Sequence, residues 1–243
     1  MRLTRVHVPG PLAAGRMCAV KGDAATRLAR VLRLSAGDAL ILFDGQGGQY
    51  AARIEAIGKG TVDVAVLERQ LIERESPLSL TLAQGVSRGE RMDWVVQKGT
   101  ELGVSRLVPV LSERSVVRLD PKQAQSKQRH WQRVAVAACE QSGRDRIPQV
   151  AAPVALVQFL ESLSPGGTRL LLSPEGLVTL ESLPPPAGDI IVLIGPEGGL
   201  TEEEGRAARG QGFTALRLGP RVLRTETAAV AALALLQHRF GDI

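Results

Sequence analysis

Two blocks near the C-terminus contain the residues best placed for chemistry. In residues 193–204 an apolar run stops at Gly195-Pro196, and in residues 216–227 another stops at Gly219-Pro220. Proline removes a backbone donor and fixes φ, so a Gly-Pro pair cannot continue a regular element. Two such breaks at the ends of neighbouring strands would form a crevice for a small ligand at the carboxyl ends of a sheet.

A third loop, Ser173–Gly176, is expected at the same edge of the sheet. Glycines in these loops would let a ligand approach the backbone closely. The loops are short of cations, and neither Gly-x-x-x-x-Gly-Lys-Ser/Thr nor an early Gly-x-Gly-x-x-Gly occurs, which disfavours nucleoside triphosphates and dinucleotides. A ligand held by backbone groups, such as an adenosine moiety, fits better, although ordinary tight strand–helix turns would show the same pattern.

The elements around these loops alternate between strand and helix, which predicts a mainly parallel sheet in an α/β fold. Thr201 with Glu204 has the form of a capping box, so a helix should start just after the second loop. Predicted strands are 78–83, 106–111, 169–173, 189–194 and 214–218, and predicted helices are 91–102, 121–141, 153–163, 201–210 and 224–240.

The first 72 residues read differently, as short strands and turns of a small, mostly antiparallel β module. Strands are predicted at 39–43, 49–54 and 61–66. One helix is predicted at 20–34, with Leu28, Val31 and Leu32 as its apolar stripe. A polar linker at 68–77 suggests two domains, 1–72 and 73–243.

Composition limits the classes of protein. The chain has 243 residues, 44% of them hydrophobic, and no apolar run as long as a membrane span. The start lacks the apolar segment of a signal peptide, and Cys18 and Cys139 are too far apart for a disulfide framework or a zinc motif. We therefore expect a cytoplasmic protein without a metal.

Charge indicates a polyanionic partner. The net charge is +5, yet residues 1–33 hold seven basic side chains, Arg2 among them, and one acidic side chain. A second basic cluster lies between Arg114 and Arg146. Two basic clusters on an otherwise balanced chain favour nucleic acid, although a solubilising surface would look similar.

The motifs resemble the SPOUT superfamily of S-adenosylmethionine-dependent RNA methyltransferases. More closely, they resemble the 16S ribosomal RNA (uracil-N3)-methyltransferases, whose target is the uridine conventionally numbered 1498. The matching blocks are Gly195–Thr201, Leu216–Ala228, Gln97–Gly103, Glu113–Val117, Ala138–Arg144 and Arg30–Asp38. One departure is Gly99, where the family more often has alanine.

The resemblance implies an α/β C-terminal domain with a trefoil knot, a PUA-like β-barrel domain at the N-terminus, and a homodimer. It also implies that S-adenosylmethionine binds in the knotted loops. The residues that correspond to the binding site are Leu172, Ser173, Gly195, Pro196, Glu197, Gly199, Leu218, Gly219, Leu223, Arg224 and Thr227.

Methylation of uracil N3 requires loss of a proton and leaves negative charge on the two flanking carbonyl oxygens. We expect Arg224 to stabilise that charge and Glu226 or Glu197 to supply the carboxylate near the proton. A helix-capping role for Glu226, or an ion pair between Arg224 and Glu197, would explain the same residues. The candidates for RNA binding are Arg5, Arg27, Arg30, Arg33, Arg88, Arg91, Lys98 and Arg114.

Two alternatives share these features. One is another reaction of the superfamily, such as ribose 2′-O-methylation. The other is a non-catalytic RNA-binding factor of ribosome assembly.

Overall fold

The computed structural model describes residues 3–243, which form two compact units. The first comprises the chain up to Glu75 together with Cys139–Ile147, and the second comprises Ser76–Ala138 with Pro148–Ile243. No pattern in the sequence indicated that Cys139–Ile147 would belong to the first unit. Met1 and Arg2, with which the predicted N-terminal domain and its basic cluster begin, lie outside the described residues.

The first unit contains a five-stranded sheet that curls into a half-barrel. Its strand order is β1-β3-β4-β5-β2, and only the β1–β3 pair is parallel. Alternate residues of the sheet, such as Val62, Val64 and Val66, are buried in one core, which is the pattern of a strand with one solvated face. The strands are β1 (Thr4–His7), β2 (Met17–Lys21), β3 (Ala39–Phe43), β4 (Gln49–Ile57) and β5 (Thr61–Gln70).

The helix predicted at 20–34 is wrong in extent. The chain forms a short helix α1 (Gly22–Thr26) followed by a π-helical turn, Arg27–Val31. The backbone N–H of Leu32 donates to the carbonyl of Arg27, a bond that spans five residues and shifts the side chains off the spacing of an α-helix. Leu28 is therefore buried, whereas Val31 is 71% and Leu32 43% exposed.

The second unit contains an eight-stranded parallel sheet, as the alternation of elements predicts. The strand order is β11-β13-β10-β12-β6-β7-β8, and β9 also pairs with β7. The strands are β6 (Leu80–Gly85), β7 (Arg106–Leu111), β8 (Gln149–Val150), β9 (Val154–Ala155), β10 (Thr168–Leu172), β11 (Val178–Thr179), β12 (Ile190–Ile194) and β13 (Thr214–Arg217). The helices are α2 (Arg91–Glu101), α3 (Pro121–Ser142), α4 (Leu156–Glu161), α5 (Glu202–Gly210) and α6 (Thr225–Phe240), with a 3₁₀ turn at Leu180–Ser182.

Helices cover both faces of this sheet. Successive residues of a strand point to opposite faces, so Leu170 packs with α2, α3 and α6, whereas Leu171 packs with α4 and α5. Both side chains are almost fully buried. This double burial explains why the central strands are continuous apolar runs rather than alternating ones.

Several predicted boundaries need correction; β6, for example, is Leu80–Gly85 and not 78–83, and β4 continues to Ile57. Helix α4 is shorter than the predicted 153–163, because Val154–Ala155 pairs with β7 as a strand. Strand β5 continues to Gln70, into the predicted linker. Thr201 caps α5 from outside, and its capping box with Glu204 is confirmed. None of the helices within residues 3–243 combines the length and apolarity that crossing a bilayer requires.

Candidate active site

The strand order of the second unit brings the three predicted loops to one edge of the sheet. Strand β10 lies between β12 and β13, and all three run parallel, so the loops that follow them are neighbours. Together with the start of α6 and with Arg91 of α2 they line a cavity of about 880 Å³. This volume is typical of a site for a small molecule.

The cavity is lined by ten of the eleven residues that the sequence suggested for cofactor binding. These are Leu172, Ser173, Gly195, Pro196, Glu197, Gly199, Leu218, Gly219, Leu223 and Arg224. Thr227 is a correction, because its side chain is exposed and does not line the cavity. It lies two positions after the buried Thr225 on α6, which places it on the opposite side of the helix.

Glycine is needed at these loop positions for two different structural reasons. Gly219 has φ +132° and Gly199 has φ +70°, values that L side chains rarely adopt, and a Cβ at either position would have no heavy atom within 4 Å. A Cβ on Gly195 would instead lie 3.0 Å from the carbonyl carbon of Gly199. Gly195 therefore lets the loop fold onto itself, whereas Gly219 and Gly199 leave open space beside their backbone.

Glu197 is held by groups that precede it by about a hundred residues. Its Oε1 accepts from the backbone N–H of Arg88 at 3.1 Å and forms an ion pair with the Arg91 guanidinium. Burial opposes ionisation of Glu197. The hydrogen bonds from its own backbone N–H and from that of Arg88, with the charge of Arg91, outweigh burial and lower the pKa of Glu197. Glu197 thus pairs with Arg91, and not with Arg224 as the alternative explanation of these residues would have it.

Glu226 lies in the first turn of α6, where the helix N-terminus favours negative charge. Its Oε1 is 3.8 Å from Nε of Arg91, and its buried Oε2 has no hydrogen-bond partner among the described residues. Arg224 is exposed and precedes this turn, and its side chain makes no capping bond to the helix. The site therefore combines a buried, unpaired acceptor oxygen on Glu226 with an exposed cation two residues away.

Sequence reasoning missed two further residues of this region, Gln84 and Thr225. Thr225 lines the cavity, and its hydroxyl donates to the carbonyl of Gly195 at 2.7 Å and accepts from the side-chain amide of Gln84. A glutamine at the end of the apolar strand β6 is a signal that could have been noticed. No sequence signal indicated that Gln84 would pair with Thr225.

The structure divides the RNA-binding candidates into engaged and exposed side chains. Arg5 is a correction, because it is 7% exposed and its guanidinium contacts Gln49, Asp145 and the carbonyl of Arg144 within the first unit. Arg27 pairs with Glu140 at 2.5 Å, again within the first unit. The buried Arg5 guanidinium is therefore not free for a phosphate, whereas the Arg27 side chain stays 37% exposed.

The remaining candidates are distributed over both units. Arg30 and Arg33 of the first unit are exposed, as is Arg88 of the second. Lys98 pairs with Glu101 at 2.9 Å. Arg114 lines the cavity and donates to the carbonyl of Gly198 at 3.1 Å, so it braces the loop.

No group of three or more His, Cys, Asp and Glu side chains that could hold a metal ion occurs within residues 3–243.

Comparisons with known proteins identify the class of protein that this fold and site define. The family model described as the RNA methyltransferase domain matches residues 74–237, and the one described as the RNA methyltransferase PUA domain matches residues 22–67. The first matched region contains the parallel sheet, and the second contains β3, β4 and most of β5 of the curled sheet. The first covers more than half of the chain.

Individual relatives narrow the class. The ribosomal RNA small subunit methyltransferase E of Bacillus subtilis is 32% identical, with 90% of this chain and 89% of the relative covered. The enzyme of the same name from Neisseria gonorrhoeae, solved with bound S-adenosylmethionine, is 37% identical over the whole of both chains, with a TM-score of 0.94. A methyltransferase from Legionella pneumophila, also solved with this cofactor, is 40% identical over both whole chains, with a TM-score of 0.96.

The chain belongs to the family of ribosomal RNA small subunit methyltransferases E. The family inferred from the sequence motifs is thereby confirmed, as is the fold class of a PUA-like domain with a SPOUT-type α/β domain.

Proposed function

We propose that this protein uses S-adenosylmethionine to methylate N3 of one uridine, conventionally numbered 1498, in the 16S RNA of the small ribosomal subunit. The observation that carries the proposal is the cavity at the carboxyl edge of the sheet, lined by Glu226, whose buried Oε2 has no hydrogen-bond partner among the described residues. Family membership supports an RNA substrate, and the chemistry of the wall supports a step that removes a proton.

The residues present fit the proposed cofactor. Backbone groups of three loops face the cavity, and open space beside Gly199 and Gly219 allows a ligand to approach them. The wall also contains apolar side chains, among them Leu172, Leu218 and Leu223, that suit an adenine ring. When bound, the cofactor supplies a methyl group on a sulfonium, which needs positioning more than activation.

The acceptor base needs help from the chain. Uracil N3 loses its proton before or during attack, and the unpaired Oε2 of the cavity-lining Glu226, which is buried before the base binds, would accept it. Arg224, exposed beside it, would stabilise the charge that develops on the uracil oxygens. Glu197 is less suited to the task, because Arg91 and the Arg88 N–H already occupy its Oε1.

Exposed arginines would supply the affinity for the RNA backbone. Arg88 lies just before α2, and Arg30 and Arg33 lie at the end of the π-helical turn of the first unit. Each phosphate bound in this way would add to the salt dependence of binding.

We also propose that the protein acts as a homodimer, as its motifs imply. Leu177 and Val222 are 94% and 79% exposed, in the loops that follow β10 and β13. A contiguous apolar patch that includes these side chains would suit a contact with a second copy of the chain. Sedimentation of the full chain tests this, with a dimer expected and a monomer contradicting it.

Mapping the modification on RNA tests the proposed reaction. Small subunits from cells lacking the modification are incubated with the protein and S-adenosylmethionine, and the RNA is copied by reverse transcriptase. A methyl group on N3 blocks base pairing, so a strong stop next to uridine 1498 is expected. No stop, or a weak stop only at low nucleotide concentration, which is typical of ribose methylation, would contradict the proposal. The non-catalytic alternative predicts binding of the RNA without any methyl transfer.

A further inference from the structure

Gln84 is a buried polar side chain at the end of an apolar strand. It is the fifth residue of β6, lies beside Ile194 and Pro109 in the sheet, and is 1% exposed. Its Nε2 donates to Thr225 Oγ1 at 2.7 Å, while its Oε1 is buried and has no hydrogen-bond partner in the described part of the chain. An unpaired buried acceptor lowers stability. The stability of the core alone therefore does not explain why residue 84 has an amide side chain.

The Thr225 hydroxyl sets the direction of a chain of hydrogen bonds. A hydroxyl has one hydrogen, and Thr225 donates it to the carbonyl of Gly195 at 2.7 Å. The same oxygen therefore accepts from Gln84, which agrees with the observed contact. The chain runs from Gln84 through Thr225 to Gly195 and joins the end of β6, the start of α6 and the loop after β12.

The Gly195–Pro196 peptide unit, at the end of this chain of hydrogen bonds, has few other groups that can form a hydrogen bond. Pro196 has no N–H, so the Gly195–Pro196 peptide unit offers only its carbonyl oxygen for a hydrogen bond. The backbone at Gly85 packs against the same peptide unit, since a Cβ on Gly85 would lie 2.3 Å from the Pro196 nitrogen. Contact with Gly85 limits the position of the peptide, and the bond from Thr225 fixes its rotation.

We propose that Gln84 and Thr225 are positioning residues that fix the 195–199 loop relative to the first turn of α6. The inference rests on the proposed function, in which that loop holds S-adenosylmethionine and the turn presents Glu226. Without the hydroxyl of Thr225 the Gly195–Pro196 peptide can rotate. The methyl donor and the carboxylate one residue from Thr225 then lose their alignment, and both donor affinity and transfer rate fall.

Matched variants of Thr225 test this in the full-length protein. Thr225→Val has nearly the same shape without the hydroxyl, and Thr225→Ser keeps the hydroxyl. For Thr225→Val we expect the dissociation constant for S-adenosylmethionine, measured by calorimetry, to rise about tenfold. The single-turnover rate of methyl transfer at saturating donor should also fall about tenfold. Thr225→Ser should restore both values to within about threefold of wild type.

Hydrogen exchange of the cofactor-free protein gives a readout that does not depend on the proposed function. The N–H of Gly199 donates to the carbonyl of Pro196 at 2.8 Å, so it reports on the order of the loop. Thr225→Val should speed its exchange, and Thr225→Ser should not. If wild type fails to bind S-adenosylmethionine, the proposed function falls, and the exchange result still decides this inference.

A second site completes the test. Gln84→Met removes the donor to Thr225 with little change in volume, and we expect a weaker form of the same defects. Combined with Thr225→Val it should add little, because both changes break one chain. Thr225→Val with wild-type exchange, donor affinity and rate would overturn the proposal. So would a Thr225→Val variant that only lowers the melting temperature, since that is the effect of a purely structural residue.

Discussion

The Arg91 guanidinium lies between two carboxylates, with its Nε 3.8 Å from Oε1 of Glu226, whose Oε2 is buried and has no hydrogen-bond partner among the described residues. Its closer partner is Glu197, with which it forms an ion pair. Arg91 thus forms a close ion pair with Glu197 and lies farther from Glu226. This difference assigns the two carboxylates different tasks, with Glu197 fixing the loop and Glu226 available for the proton of the acceptor base.

Glu197 should contribute a pH-dependent part of the stability. Burial opposes its ionisation, but its hydrogen bonds and Arg91 lower its pKa from the ordinary value of 4.5. A group with a lowered pKa in the folded state stabilises the fold above its unfolded-state pKa, and this stability is lost as pH falls through the folded value. Wild type should therefore exceed Glu197→Gln in free energy of unfolding at pH 7, and the difference should shrink below the ordinary pKa of 4.5 and disappear as pH falls through the lowered pKa of Glu197.

Urea denaturation at several pH values measures this difference. Glu68→Gln, at an exposed position of β5, is the control and should follow wild type throughout. A difference for Glu197→Gln that stays constant or grows towards acidic pH would contradict the assignment.

Substitution of the glycines at the cavity should weaken the binding of S-adenosylmethionine. Gly219→Ala places a side chain at φ +132° on the cavity wall, so we expect S-adenosylmethionine affinity to fall about tenfold or more. Gly195→Val should also weaken binding, because its Cβ would press on the backbone of Gly199. Calorimetry checks both, with Gly210→Ala, in open space at the end of α5, as the control. Undiminished binding by both cavity variants would place the donor elsewhere.

Gly99 is a site where the chain can be stabilised. It lies in the interior of α2, and a Cβ there would lie 3.7 Å from side chains of Leu82, Leu107 and Leu233, which is ordinary van der Waals contact. Alanine is the better helix former, so Gly99→Ala should raise the free energy of unfolding by about 1 kcal/mol. Gly103→Ala, just past the same helix, should do the opposite because of its φ of +83°. Chemical denaturation measures both, and a loss of stability in Gly99→Ala would show that the close packing around this helix excludes the extra methyl group.

Substitution of exposed arginines in the first unit should weaken RNA binding, whereas substitution of a buried arginine should lower the stability of the fold. Arg30→Ala and Arg33→Gly should weaken RNA binding and reduce the slope of log K against log salt by about 0.7–0.9 for each phosphate that is no longer neutralised. The glycine suits the φ of 51° at position 33. Arg5→Ala should instead destabilise the protein by about 3–5 kcal/mol, because it leaves the buried Asp145 without its 2.5 Å partner.

Filter binding over a range of salt, beside chemical denaturation, separates these outcomes. An Arg5→Ala variant with wild-type stability and a reduced salt slope would return Arg5 to the RNA-binding set. An unchanged slope in the double variant at positions 30 and 33 would remove those two residues from it.

Local pattern was sufficient for much of the second unit. Strands β7 and β12 are apolar because helices cover both of their faces, and the Gly-Pro pair that ends β12 marks the loop of the site. The two-residue strands β9 and β11 are too short to show a period. The π-helical turn at Arg27–Val31 breaks the spacing on which the prediction of a helix relied.

Long-range pairing is what the sequence could not reveal. Gln84 meets Thr225 across 141 positions, Arg91 meets Glu197 across 106, and Arg5 meets Asp145 across 140. In each case a polar residue finds its partner only through the order of strands and the insertion of distant segments. The residues of the donor loops could be named from motifs, whereas the contacts that position them could not. The trefoil knot and the domain boundary at residue 72 stay predictions.

Formation of 3-methyluridine by wild type and by Glu226→Gln tests the central claim most directly. Unmodified small subunits, protein and methyl-labelled S-adenosylmethionine are mixed for a single turnover, and the RNA is digested to nucleosides. Wild type and the exposed control Glu203→Gln should place the label in 3-methyluridine. Glu226→Gln should bind the donor normally and react at least about 100-fold more slowly. Label in a 2′-O-methylnucleoside, no label with wild type, or a wild-type rate for Glu226→Gln would contradict the account.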